Sequence, residues 1–173
     1  MTSQRGMTLV ELLVVLALAA IAFLAAGSFA LPWVQQQTMQ SAIYAVQTHL
    51  QLARVEAITR NRACRFEVDT ATRVVSVYDV MDPADLSDDV LLHRSTLDTD
   101  IDFSRPEGGG AVTPSQIGTT TKFETVFRSD GVVTAGVGDV VLLGGLRYNR
   151  ISVFGVGGTQ VERWNNGAWH VGS

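Results

Sequence analysis

The sequence predicts an α+β fold. A long N-terminal α-helix, transmembrane in its first half and amphipathic in its second, packs on a mostly antiparallel β-sheet or β-sandwich. Two observations predict this class. The twenty-residue run from Leu12 to Leu31 carries one polar side chain, Ser28, and short alternating stretches bounded by turn residues dominate after Ala63. The 173 residues therefore fit one modest domain plus an anchor.

The apolar run is long enough to cross a hydrocarbon core of about 30 Å at about 1.5 Å per residue. A removable secretory signal is the competing interpretation, because a basic start and small residues near Gly27 also fit that template. Glu11 opposes it, since such a signal is purely apolar at this point, and the helical pattern continues beyond the expected cut. Gly27 and Pro32 weaken the helix, so we expect flexibility there.

The second half of the helix is amphipathic. Spacings of three and four residues place an apolar stripe on one face, while glutamines occupy polar positions. The stripe consists of Ile43, Val46, Leu50, Ala53 and Ala57. This face is predicted to cover the sheet.

The remainder is predicted to be β-structure. Alternation and turn residues indicate a hairpin of Cys64–Val68 with Val74–Tyr78. Further strands are predicted at Val90–Arg94, Ile101–Phe103, Phe123–Phe127, Val140–Leu143, Arg150–Phe154, Gln160–Trp164 and Ala168–Val171. The glycine- and proline-rich segment from Ser104 to Thr121 is predicted to be a long mobile loop.

Charge and chemistry exclude several functions. Thirteen Lys+Arg against seventeen Asp+Glu give a net charge of −4, so a broad basic surface for nucleic acid is absent. The histidines are scattered, and no zinc, phosphate-loop or nucleophile-elbow motif occurs. Two acidic clusters, between Asp82 and Asp89 and between Asp98 and Asp102, lack the full EF-hand spacing. They are therefore interpreted as solvated loops and not as calcium sites. We therefore expect no enzymatic activity, cofactor or metal. Cys64 is the single cysteine of the sequence, and its position is typical of a small buried thiol.

The stretch GMTLVELLVVL, from Gly6 to Leu16, resembles the class III signal and helix start of type IV pilins and type II secretion pseudopilins. The resemblance implies that a prepilin peptidase cuts between Gly6 and Met7 and that Met7 is then N-methylated. A carboxylate in an apolar helix is costly, and an opposite charge within about 4–6 Å favours its ionised form. The resemblance implies that Glu11 meets the N-terminus of a neighbouring subunit and sets the register of assembly. An ordinary single-pass anchor with an accidental acid is the alternative.

Three segments of the globular part resemble the GspH/FimT branch of minor pseudopilins and minor pilins. They are Ala53–Ile58, Phe127–Gly131 and Ile151–Gly155. The implied organisation is a leader at 1–6, a transmembrane and filament-core helix segment at 7–31, an amphipathic helix at 32–62 and a β-rich periplasmic domain at 63–173.

The resemblance implies a minor pilin-like subunit that assembles into, or at the tip of, a type II secretion pseudopilus or a type IV pilus. Its implied partners are other pseudopilins or pilins, the prepilin peptidase and the inner-membrane assembly platform. The resemblance also implies a single-pass protein of the bacterial inner membrane whose globular domain lies in the periplasm. If the subunit is part of an assembled pilus, that domain lies outside the cell.

A DNA-binding tip subunit is the alternative function, because some FimT-like minor pilins use a glycine–arginine motif near the C-terminus in DNA uptake. The corresponding region, Gly157 to Arg163, retains only the arginine, and Glu162 adds an opposing charge. Arg147, Arg150 and Arg163 are therefore predicted to make at most a weak DNA contact. A membrane-anchored enzyme is a third interpretation, and it lacks a catalytic cluster.

Overall fold

One long helix, α1, precedes all the strands and runs from Leu9 to Arg60. The computed structural model describes residues 8–82, 85, 87–113 and 121–171, with only the backbone described for residues 25–31. Asn61 ends α1 in a left-handed conformation, with φ of 51°. The Arg62 N–H donates to the Ala57 carbonyl at 3.1 Å and the Asn61 N–H to the Ile58 carbonyl at 3.3 Å. These two bonds form a Schellman motif, which satisfies carbonyls at the helix end.

The chain divides into two units, one up to Gln36 and one from Gln37 onward. In the first unit, the large apolar side chains between Leu9 and Leu24 are all 48–81% exposed. The predicted membrane span, Leu12 to Leu31, includes seven residues whose side chains lie outside the described set. Among the described residues, no helix has the length and apolar character needed to cross a membrane.

The second unit contains two five-stranded antiparallel sheets. The strands of sheet I are β1 (Cys64–Asp69), β2 (Val74–Asp79), β3 (Val90–Thr96), β5 (Lys122–Phe127) and β6 (Val133–Ala135). Those of sheet II are β4 (Ile101–Phe103), β7 (Gly138–Gly144), β8 (Arg147–Val153), β9 (Thr159–Asn165) and β10 (Ala168–Val171). Sheet I has the order β3-β2-β1-β5-β6, and sheet II has the order β10-β9-β8-β7-β4.

A single hydrophobic core joins the second part of α1 to both sheets. The whole predicted stripe is buried, and Met39 and Ala42 extend it toward the N-terminus. Sheet I contributes Phe66, Phe123 and Phe127 to this core, among others, and sheet II contributes residues such as Leu142 and Ile151. Because residues at i, i+3, i+4 and i+7 share one helix face, this stripe buries small and branched side chains in one row. The predicted α+β class is confirmed.

Each predicted strand is present, with small differences at the ends. β8 begins at Arg147, three residues before the predicted start, and ends at Val153. β6, at Val133–Ala135, was not predicted. It pairs with β5 across a register shift between Val126 and Phe127.

Candidate functional site

The first turn of α1 is closed by a reciprocal pair of hydrogen bonds between Thr8 and Glu11. The Glu11 N–H donates to Thr8 Oγ1 at 3.2 Å, and the Thr8 N–H donates to Glu11 Oε2 at 3.5 Å. This is a capping box, in which a Thr at the N-cap and a Glu at the third helical position satisfy each other's backbone donors. The acid also lies at the positive end of the helix dipole. The spacing Thr-x-x-Glu is a sequence signature of this cap, and the sequence analysis did not use it.

The processing site and the predicted flexible point of α1 are only partly described by the structure. Gly6 and Met7 lie outside the described residues. The backbone of α1 is helical through both Gly27 and Pro32. Proline inside a helix removes one backbone hydrogen bond, so flexibility at this point remains a prediction.

The three predicted arginines do not share one surface. Residues paired across antiparallel strands point to the same face of a sheet, and neighbours along a strand alternate. Arg163 pairs with Asn149 on β8, so it shares a face with Arg147, two residues away. Arg150 pairs with Glu162 and therefore points to the opposite face of sheet II.

Arg150 is already neutralised on its own face, the outer face of sheet II. Its Nε donates to Glu162 Oε2 at 2.7 Å, and Asp139 Oδ2 lies 4.0 Å from the same nitrogen. The guanidinium also stacks 4.5 Å from the ring centre of Trp169. A phosphate would have to compete with two carboxylates for this arginine.

An aromatic pair and a loop cover the same outer face. Trp164 and Trp169 are direct cross-strand partners, with ring centres 5.2 Å apart in an edge-to-face arrangement. The Trp169 indole N–H donates to Glu107 at 2.9 Å. Arg105 donates to Asp139 at 2.7 Å and to the Gly110 carbonyl at 2.7 Å. These bonds hold the loop after β4 against sheet II.

The outer face of sheet I carries a buried charge cluster, which the sequence analysis did not predict. Arg65 donates from Nη1 to Glu67 at 2.7 Å and to Glu124 at 3.0 Å. Its Nη2 donates to Asp89 at 2.8 Å. Lys122 donates to the second oxygen of Glu67 at 3.0 Å. Arg65, Glu67 and Glu124 alternate along their strands with core residues, a pattern that sequence analysis interprets as solvent-facing.

Three members of this cluster, Arg65, Lys122 and Glu124, have raised pKa values. Burial disfavours the charged form of Arg65, but its hydrogen bond to Asp89 and the nearby carboxylates outweigh this and raise its pKa. The hydrogen bond to Glu67 raises the pKa of Lys122. Burial raises the pKa of the Glu124 carboxyl, and the facing Glu67 carboxyl raises it further. The Glu124 carboxyl therefore holds a proton to a higher pH than an exposed glutamate does.

Cys64 is a buried free thiol, as predicted. Burial, with help from the charge of Asp79, raises its pKa to about 11. The nucleophilic thiolate is therefore scarce at neutral pH. Within residues 8–82, 85, 87–113 and 121–171, no group of three or more potential ligand side chains is arranged to hold a metal ion.

Family models match the chain in two places. The model described as the prokaryotic N-terminal methylation motif matches residues 1–27, and the model described as type II transport protein GspH matches residues 42–157. No curated protein matches the sequence.

Two solved structures illustrate what this chain is similar to. The type IV minor pilin FimU of Pseudomonas aeruginosa has a TM-score of 0.50 and 15% identity, over 80% of this chain and 96% of that one. The minor pseudopilin EpsH from the Type 2 Secretion System of Vibrio cholerae has a TM-score of 0.48 and 15% identity, over 72% of this chain and 94% of that one.

Proposed function

The chain belongs to the family of the type II transport protein GspH, and we propose that it is a minor pilin-like subunit that assembles through its N-terminal helix. One observation carries the proposal. The chain joins a prokaryotic N-terminal methylation motif to a GspH domain. The assembled filament is a type II secretion pseudopilus or a type IV pilus, and the subunit's partners there are other pseudopilins or pilins.

The exposed apolar surface of the first part of α1 supports this role. Between Leu9 and Leu24, Glu11 is the single charged residue, and all the large apolar side chains are exposed. Such a surface needs a non-aqueous neighbour. We propose that lipid of the inner membrane covers it before assembly and that helices of other subunits cover it afterwards. Since this exchanges one apolar environment for another, shape and the Glu11 carboxylate must select the partner.

The proposal includes processing before assembly. A prepilin peptidase cuts between Gly6 and Met7, Met7 is N-methylated, and the inner-membrane platform then extracts the subunit. The globular domain lies in the periplasm, and the role is structural and not enzymatic. For the alternative of DNA capture, the opposite orientations of Arg150 and Arg163 offer no support.

Intact-mass analysis of the chain purified from membranes tests the processing step. We expect the mature chain to begin at N-methylated Met7. A Gly6→Val variant should keep residues 1–6 and remain unmethylated, because it replaces the glycine after which the peptidase is proposed to cut. A mature chain beginning near Leu31 would establish ordinary secretory cleavage and overturn the proposal.

A further inference from the structure

Two glutamates on the outer face of sheet I lie directly opposite each other. Glu67 on β1 pairs with Glu124 on β5, and the two residues are only 7% and 3% exposed. Like charges at directly opposed positions repel, and the repulsion grows as water is removed. Two carboxylates that share a buried position therefore do not readily ionise together.

The cations around this pair are too few to neutralise it. Three buried carboxylates, those of Glu67, Asp89 and Glu124, face the two cations Arg65 and Lys122. One negative charge is left over when all three acids are ionised. We propose that this cluster is a proton-binding site, which takes up one proton on Glu124 and thereby becomes neutral.

The contacts of each oxygen assign the proton to Glu124. Both oxygens of Glu67 meet a cation, since Oε2 accepts from Arg65 and Oε1 accepts from Lys122. Glu124 Oε1 accepts from the same Arg65 nitrogen at 3.0 Å, whereas Glu124 Oε2 is buried without a hydrogen-bond partner. A buried carboxylate oxygen without a donor is unfavourable when charged. Protonation of Glu124 removes that charge.

The neighbouring elements add little charge near Glu124. β2 contributes Tyr78, whose ring centre lies 4.4 Å from the Arg65 guanidinium, and β6 carries no charged residue. Asp69 pairs with Lys122 at the far end of β1, and Arg94 is exposed on the edge strand β3. Asp89 is the remaining candidate proton acceptor, because its Oδ1 also lacks a hydrogen-bond partner.

The proton makes the stability of the domain depend on pH with a definite sign. The folded state holds the proton at a higher pH than the unfolded chain does, because burial and Glu67 act only in the folded state. The stabilisation is therefore fully present at low pH and is lost as the pH rises through the folded pKa of Glu124. At the steepest point, one proton changes the folding equilibrium constant about tenfold per pH unit.

Urea unfolding of the full chain in detergent, followed by tryptophan fluorescence between pH 5 and pH 8.5, tests the site. Glu124→Gln keeps the shape and removes the titration, so its stability relative to wild type should rise as the pH rises. Glu67→Gln should also flatten the pH dependence, because it removes the opposing charge. Glu107→Gln, the same change in the exposed loop after β4, should run parallel to wild type, and the His93–Glu56 pair is unchanged in all three.

Infrared spectroscopy of the folded chain supplies a direct readout that does not depend on unfolding. Wild type should show the carbonyl band of a neutral carboxylic acid at a pH where exposed glutamates are ionised, and Glu124→Gln should lack it. The absence of that band in wild type would overturn the proposal. So would a pH dependence that survives in Glu124→Gln and disappears in Asp89→Asn.

Discussion

Glu11 combines a hydrogen-bonding role with a charge, and two substitutions can separate them. Its carboxylate closes the capping box with Thr8, which a glutamine at the same position also does. The proposed role in assembly instead requires the negative charge. Loss of an N-cap side chain costs about 0.5–2 kcal/mol of helix stability, so a fraying first turn is a competing explanation for any defect at this position.

We expect Glu11→Gln to impair assembly, because it keeps the cap and removes the charge. Thr8→Ala should assemble nearly as well as wild type, because it weakens the cap and keeps the charge. The measurement is crosslinking of the subunit to its filament partners in cells. Membrane level and processing are measured in parallel, and both should remain unchanged.

The two variants distinguish the mechanisms without a third. If Thr8→Ala were as defective as Glu11→Gln, capping would be the function of Glu11. If both variants crosslinked like wild type, Glu11 would have no role in assembly, and the family assignment would be unaffected.

At the scale of the elements, α1 is held to the sheets by its buried stripe. Leu50 lies in the middle of that stripe and is 1% exposed. Leu50→Ala should lower the free energy of unfolding by about 2–5 kcal/mol, since it removes buried methyl groups and leaves a cavity. Urea unfolding of the detergent-solubilised chain measures this loss.

Val55→Ala is the matched control for that experiment. Val55 lies on the same helix but is 54% exposed, so its truncation should change the free energy by roughly 0.5 kcal/mol or less. Equal effects of the two substitutions would mean that the stripe does not hold the helix in place.

The strands and the stripe could be predicted because each follows one local period. Alternation placed Cys64, Phe66 and Val68 on one face of β1, and all three are buried in the core. The same alternation places Arg65 and Glu67 on the opposite face of β1, and it does not reveal that both are buried there. Their burial depends on Glu124 and Asp89, which are far away in sequence, and a local pattern carries no information about such partners.

The segment from Ser104 to Thr121 was predicted to be a mobile loop, and this prediction did not include the contacts that its first part makes with sheet II. Glycine and proline content predicted a loop, and residues 114–120 lie outside the described residues. The first part is nevertheless held to sheet II, since Arg105 contacts Asp139 and Val112 forms a bridge with Val140. Long-range contacts of single residues of this kind leave no periodic signal.

At the scale of the whole molecule, charge decides how strongly the chain binds nucleic acid. Removal of the predicted leader takes away Arg5 alone, so the side-chain balance changes from 13 − 17 = −4 to 12 − 17 = −5. We expect DNA binding to be weak and steeply dependent on salt, because few phosphates can be neutralised. Fluorescence anisotropy with a labelled duplex at low and physiological salt measures this.

A pair of variants makes the DNA test specific. Arg147→Ala with Arg163→Ala removes the arginines of one face, and Arg150→Ala removes the arginine of the other. Tight binding at physiological salt that only the first variant abolishes would favour a DNA-capturing role over the proposed structural one.

The order of the strands has a consequence for how the chain folds during synthesis. The two sheets are interleaved along the sequence, because β4 of sheet II precedes β5 and β6 of sheet I. Cys64 on β1 cannot pair with Phe127 until β5 has been synthesised. Ile101 on β4 likewise cannot pair with Gly144 until β7 has been synthesised. β1, β2 and β3 can pair with one another as they emerge, but β4 and the second edge of β1 remain unpaired until β7 and β5 have been made. Pairing over such sequence separations is slow, and the exposed strand edges during that interval are the stage most vulnerable to aggregation and proteolysis.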